Sequence, residues 1–327
     1  MPRSSRHPQP AIDERPHRAI ASALASFWRR GRTIERIGYA VGLLLIVSGL
    51  VHLIVLAATG ATWEGPVSLR KPLTFGVSFG LTLITIVWVA SFLRLGTRAR
   101  TLLLGGFALA CTVEVVFVTL QAWRGVPSHY NVQTPFDASV ARTLAFGGFA
   151  IIGIIGTLMF AALRAQPAVP ASLRLAIRTG FVLLFSSLVT GALMIAKGMS
   201  LVFAGHPAAA YATAGWLKPT HAVTLHAILV LPALAWLLSF AGWSEARRLR
   251  VVMLGAAGYV VLTMAVALED LIGLPRMTAT ASAAAIALPM LSALGVLAFI
   301  AAGVLALNGL ARSPAAGGIE HDWHSHD

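Results

Sequence analysis

The chain has 327 residues, 57% of them hydrophobic and 11% charged, with a mean hydropathy of +0.79 and a formal charge of +13. A soluble domain carries roughly 25% charged residues, so the composition excludes a soluble globular protein and points to one that lives in lipid. The single cysteine, Cys111, excludes an intrachain disulfide and a cysteine-based zinc or iron–sulfur site, and the positive charge argues against a nucleic-acid partner because it stands in short clusters between apolar runs.

Residues 1–36 are polar and rich in proline and arginine, the composition of a segment without fixed structure. The apolar run that follows is longer than the roughly 7–15 residues of a signal-peptide core, so it reads as an uncleaved first span. Apolar runs of about 20 residues place eight spans: Ile37–Thr59, Leu73–Leu95, Thr101–Trp123, Thr143–Ala165, Thr179–Met199, Thr220–Gly242, Val251–Leu271 and Ala283–Leu307. The expected fold is an all-α polytopic bundle over 37–307, followed by a polar tail over 308–327 with histidines at 321, 324 and 326. That tail would chelate a divalent metal or serve as a plain polar terminus.

Orientation follows from the basic residues. Eighteen of the 25 fall before Ile37 or in alternate connections, and seven in the remaining connections, Arg276 among them. The split predicts both termini in the cytoplasm. Twenty-two of the 25 are arginine, which suggests a GC-rich bacterial genome and nothing more. The expected location is the bacterial inner membrane. Trp63, Trp123 and Trp216 fall at the outer boundary and Trp28 and Trp243 at the inner one, as interfacial anchors should. The inner connections are short and basic, whereas the outer ones (62–71, 125–142, 204–219 and 273–282) are longer and chemically mixed. Function concentrates in loops held by a rigid scaffold, so the outer face is the expected working face.

The densest chemistry runs from Glu114 to Arg142. A carboxylate lies inside a span that ends through Gln121, Trp123 and Arg124. A loop with Pro127-Ser128-His129-Tyr130-Asn131 follows, and Thr134-Pro135-Phe136-Asp137 then opens a helix with Thr134 as N-cap. An internal echo is also present. The second span is entered through Leu69-Arg70-Lys71-Pro72 and the sixth through Trp216-Leu217-Lys218-Pro219. The third and seventh spans carry Glu114 and Glu269. Elements four spans apart imply a parallel 4+4 repeat about an axis along the membrane normal.

Ionisable groups in hydrocarbon cost roughly 2.5–3.5 kcal/mol each on insertion scales, and each invites a functional reading. Glu114 would pair with a cation, with Arg124 and Lys197 as candidates, or relay protons. Thr74, Ser78, Thr82 and Thr85 form a polar stripe on the second span. Ser187, Thr190, Met194 and Lys197 do so on the fifth, either lining an interior or serving as hydrogen-bonding contacts between helices. His52 and His226 lie at equal depth, roughly 10 Å below the outer surface at ~1.5 Å per residue, as two axial ligands of a b-type haem would. Gly49 would admit the macrocycle, and Arg70, Lys71 and Arg124 would meet its propionates. The alternatives are hydrogen bonding of each histidine between helices, or a zinc or copper site of His129 and His221 with Glu114 or Asp137.

The phrases Gly65-Pro66, Arg70-Lys71-Pro72-Leu73-Thr74-Phe75, Ser128-His129-Tyr130-Asn131, Lys218-Pro219-Thr220-His221 to His226, and Leu231-Pro232 resemble a bacterial family of multi-pass membrane proteins. That resemblance implies no activity. The eight-span arrangement is also similar in architecture to haem A synthase, although the Glu-x-x-x-His-Arg pattern of that family is missing. The sharpest expectation is therefore a haem-b-binding redox protein, with a quinone or other small-molecule substrate. In it His52 and His226 are ligands, Arg70, Lys71 and Arg124 hold anionic groups, and Glu114, His129 and Lys197 handle protons. The rival expectations are a proton-coupled transporter of a small anionic solute and a non-catalytic assembly partner. No phosphate-binding loop, GxSxG elbow or HExxH pair supports ATP-driven or hydrolytic chemistry.

Overall fold

Long runs of leucine, valine, alanine and isoleucine can satisfy their backbone in lipid only as helix, and the computed structural model is built accordingly. It describes residues 16–63, 65–273 and 283–312. The helices are α1 (Pro16–Arg30), α2 (Thr33–Thr59), α3 (Arg70–Ala90), α4 (Thr97–Trp123), α5 (Pro135–Leu163), α6 (Ala171–Phe203), α7 (Pro207–Thr213), α8 (Lys218–Leu238), α9 (Glu245–Leu271) and α10 (Ala283–Ala311). No strand occurs among the described residues. Eight of the helical segments, with α7 and α8 counted as one, are long and apolar enough to cross a membrane. The expected bundle is thus present, and the protein is a multi-pass membrane protein. Its outward belt is apolar: Leu102 and Phe146 are each 75% exposed and Phe203 78%, which only lipid accommodates cheaply.

The helices alternate in direction. One end of the bundle, the loop side, carries the 124–134 connection and the starts of α3, α5 and α8. The other, the arginine side, carries the starts of α2, α4, α6 and α9. The histidine tail and Arg276 lie outside the described residues, as do residues 1–15. Within the N-terminal segment expected to be unstructured, residues 16–30 instead form α1. Its half-buried Ile20, Ala23 and Phe27 recur at helical spacing and dock on the bundle, so tertiary contact orders a stretch that composition alone marks as polar.

The packing of the first three spanning helices recurs in the fifth to seventh, whereas α10 packs on α9 far more extensively than α5 does on α4. α2 packs along α3 as α6 packs along α8. α3 contacts α4 as α8 contacts α9, α2 also touches α4 as α6 touches α9, and α3 meets α8 at the centre. The local chemistry repeats too. Trp88-Val89-Ala90-Ser91-Phe92 and Trp236-Leu237-Leu238-Ser239-Phe240 close α3 and α8, and in both the serine hydroxyl donates to the tryptophan carbonyl at 2.6 Å. An arginine in the first turn of the next spanning helix then caps the freed carbonyls: Arg100 donates to Leu93 O at 2.9 Å and Arg248 to Ala241 O at 3.1 Å. These correspondences extend the short sequence echo at Lys71-Pro72 and Lys218-Pro219 along whole helix pairs.

Close approach of α2 and α3 depends on glycine. A Cβ on Gly76 would lie 2.7 Å from the backbone of Gly49. Gly49 therefore faces α3 rather than an open slot, which removes the room expected there for a macrocycle.

Candidate functional site

The loop after α4 is held by a buried carboxylate. Asp137, in the first turn of α5, accepts hydrogen bonds from Gln121 Nε2 at 2.9 Å, Arg124 Nη1 at 2.6 Å and Thr134 Oγ1 at 2.7 Å. Thr134 caps α5 by accepting from the Asp137 amide, as its sequence position predicts. Arg124 also donates to Gln121 Oε1 and lies over the Phe136 ring, 4.7 Å from its centroid. The Arg124 guanidinium is thereby committed to tying the two ends of the loop together.

Inside this frame the loop folds back over the bundle. Ser128 and Asn131 are buried. Tyr130 adopts a left-handed backbone (φ 63°), and its hydroxyl donates to Met194 O on α6 at 3.2 Å. Its ring lies against Gly198, where a side chain would collide with it. His129 packs on Phe75 of α3 with ring centroids 5.9 Å apart, and Ser128 Oγ lies 3.0 Å from its Nδ1. Burial, then the nearby charge of Lys71, holds the His129 imidazole far below its ordinary range, at about 3, so the ring is neutral. Burial, then the neighbouring Tyr211, pushes the Tyr130 phenol up to about 12.

Beneath the loop, Lys71 at the start of α3 lies within electrostatic reach of Glu114 on α4, His129 on the loop and Lys218 at the start of α8. Glu114 is 4% exposed, and Gly147 of α5 makes room for it: a Cβ there would sit 3.0 Å from Oε1. Among the described residues neither the Lys71 ammonium nor the Glu114 carboxyl has a hydrogen-bond or ion-pair partner. An ammonium, a carboxyl and a neutral imidazole thus come from three separate elements to one region. Such a set can hold a small anion and exchange protons with it.

The other sequence candidates are placed elsewhere. His52 is buried between α2 and α4: its Nδ1 lies 2.7 Å from Ser48 O, and its Nε2 accepts from Trp123 Nε1 at 3.0 Å. His226 is on the exposed side of α8, with Nδ1 2.5 Å from Ala222 O. The two imidazoles belong to different helix pairs and both nitrogens of His52 are engaged, so the residues do not fit a bis-histidine haem. Arg70 donates to Trp63 O at 3.0 Å and lies 5.7 Å from the Trp63 ring centroid. Lys197 lies 5.0 Å from the ring centroid of Trp216. His221 faces α6, with Nδ1 2.8 Å from Ser187 O. No group of three or more metal-binding side chains exists among the described residues, so the His129–His221 metal site is not assembled. The stripe on α3 divides likewise: Thr74 is exposed and Thr85 half-buried, both bonding back to their own helix, while Thr82 is buried.

Gly147 and Gly198 complete the site without having been singled out from sequence, and Tyr130 and Phe75 stand there only within longer motifs. The available signal was the His129-Tyr130 pair in a loop between two spans. No family model, curated protein or solved structure matches the chain.

Proposed function

We propose that this multi-pass membrane protein is a proton-coupled transporter of a small anionic solute, with Lys71 holding the anion and Glu114 carrying the proton. One observation carries the reading: Lys71 and Glu114, on adjacent helices, lie within electrostatic reach of each other, and neither has a hydrogen-bond or ion-pair partner among the described residues. Uncommitted charge inside a membrane bundle is retained for a purpose, because it is costly to insert.

Charge balance gives the mechanism. The empty carrier holds Lys71 as ammonium and Glu114 as carboxylate, a neutral sum. An arriving monoanion takes the ammonium, Glu114 accepts a proton, and the loaded centre is neutral again. Neither form carries net charge across the hydrocarbon, so the cycle moves one proton with each monoanion. The loop over 124–134, with neutral His129 on its inner side, covers the site on the loop side. The recurrence of the α2–α3–α4 packing in α6–α8–α9 supports the reading, since parallel repeats about a membrane-normal axis let two halves rock around a fixed site. We place both termini in the cytoplasm on the arginine bias alone, and the loop side outward.

The test is uptake of labelled small carboxylates and inorganic phosphate into proteoliposomes under an imposed pH gradient. Flux that follows the pH gradient, ignores an imposed potassium-diffusion potential for a monoanion, and disappears in Glu114→Gln and Lys71→Met supports the mechanism. pH-driven flux that persists in Glu114→Gln contradicts it. A Soret band in protein expressed with haem supply would favour a redox role instead.

A further inference from the structure

α1 holds no acidic residue, yet carries Arg18, Arg29 and Arg30, none with a carboxylate partner among the described residues. On one face, half-buried Ile20, Ala23 and Phe27 meet the bundle. On the neighbouring stripe, Leu24 is 56% and Trp28 49% exposed. Arg18 and Arg29 lie on the far face at helical spacing. A short helix with one docked side, an uncovered apolar stripe and an adjoining row of arginines matches a helix lying in the headgroup layer of a bilayer.

Where α1 docks is informative. The Phe27 ring lies 6.1 Å from Trp88, 6.2 Å from Phe92 and 6.1 Å from Trp236, centroid to centroid. Trp88 and Trp236, equivalent residues of the two recurring units, meet edge to face at 5.9 Å. Phe27 therefore sits on the joint where α3 and α8 approach each other, on the arginine side.

We propose that α1 is an anionic-lipid-binding clamp, which lies on the bilayer surface, engages acidic headgroups through Arg18, Arg29 and Arg30, and pins the joint between the two recurring units through Phe27. An anionic membrane surface is the occupant that the charge pattern selects: arginines near such a surface attract it, and Leu24 and Trp28 find in its interface the cover the bundle does not give them. The inference is independent of what, if anything, the bundle transports.

The chain permits a direct test, because its single cysteine, Cys111, is buried and can be replaced. In a Cys111→Ala background, Ala21→Cys carries a polarity-sensitive fluorophore on the Leu24–Trp28 stripe, in nanodiscs of phosphatidylcholine with increasing phosphatidylglycerol. The expected result is a blue-shifted emission that grows with phosphatidylglycerol. Each of Arg18→Gln, Arg29→Gln and Arg30→Gln should raise the phosphatidylglycerol demand, by roughly fivefold in apparent affinity. Phe27→Ala should leave the lipid response in place but speed amide exchange at 88–92 and 236–240. Identical emission in neutral and anionic discs would overturn the lipid role. Unchanged exchange in Phe27→Ala would overturn the clamp.

Discussion

Replacing Gly198 by alanine should lift the loop off the candidate site. A methyl at this position of α6 would lie 2.5 Å from Cζ and 2.9 Å from Cδ1 of Tyr130, whereas carbon atoms settle near 3.5–4.0 Å. The ring must therefore retreat by about 1 Å, and it cannot do so freely. Its hydroxyl donates to Met194 O at 3.2 Å, and the residue stands in a left-handed turn. Overpacking of this kind costs about 1–3 kcal/mol, and loss of the hydroxyl bond adds about 1 kcal/mol. A shift of that size would multiply the open population of the loop by roughly thirtyfold or more, at about 1.4 kcal/mol per tenfold. Tyr130→Phe, which keeps the ring, should open it by only about fivefold. Hydrogen exchange at amides 126–133 reads this directly, with amides of the α2–α3 pair as an internal reference. Protection at 126–133 equal to that of the parent in Gly198→Ala would refute the docking of Tyr130 on α6.

Two further outcomes follow. At the arginine side, Arg100 donates to Ala90 O at 2.8 Å and pairs with Glu35 at 3.1 Å, with both side chains 5% exposed or less. Glu35→Ala should cost about 3–5 kcal/mol by leaving the Arg100 charge buried without a counter-charge. Arg100→Ala should cost less, because Glu35 keeps Arg32 at 3.3 Å, and Glu35→Leu/Arg100→Met should cost less than Glu35→Ala. Equilibrium unfolding in mixed micelles checks the ordering. His129 supplies a pH dependence: its folded value near 3 lies below an unfolded value near 6.5. The unfolded loop thus binds more protons between those limits, and docking is stable above about pH 6.5 and weakens as pH falls. The slope is at most about 1.4 kcal/mol per pH unit, less for partial exposure. His129→Gln should flatten the acid-side increase in loop exchange, and an unchanged pH profile in that variant would count against burial of the neutral ring.

Much of the architecture is legible in the sequence because lipid imposes a simple rule: a helix that crosses it needs an unbroken apolar run. Each of the eight runs is a helix in the structure, with ends moved by several residues where polar turns extend them, as at Pro135 ahead of Thr143. α1 escaped because its signal is amphipathic spacing over a short polar stretch, and its order comes from contacts with Trp88 and Trp236. At the candidate site, Lys71, Glu114 and His129 stood out because charge within or beside an apolar run is conspicuous. What remained hidden was pairing between helices. Equal depth suggested that His52 and His226 shared a ligand, but depth says nothing of direction. One turned to Trp123 and the other to the exposed side of α8. Arg124 looked like a free cation until Asp137, at the far end of the same loop, was seen to claim it.

The central claim is that Lys71 and Glu114 act as one coupled pair beneath the 124–134 loop. Difference infrared spectroscopy of the reconstituted protein, titrated with pH, reads it most directly through the carboxylic-acid carbonyl band. The account predicts a band that vanishes in Glu114→Gln and whose titration midpoint is displaced in Lys71→Met. A band that titrates identically with and without the Lys71 charge would contradict the coupling, and with it the proposed exchange of an anion for a carboxylate.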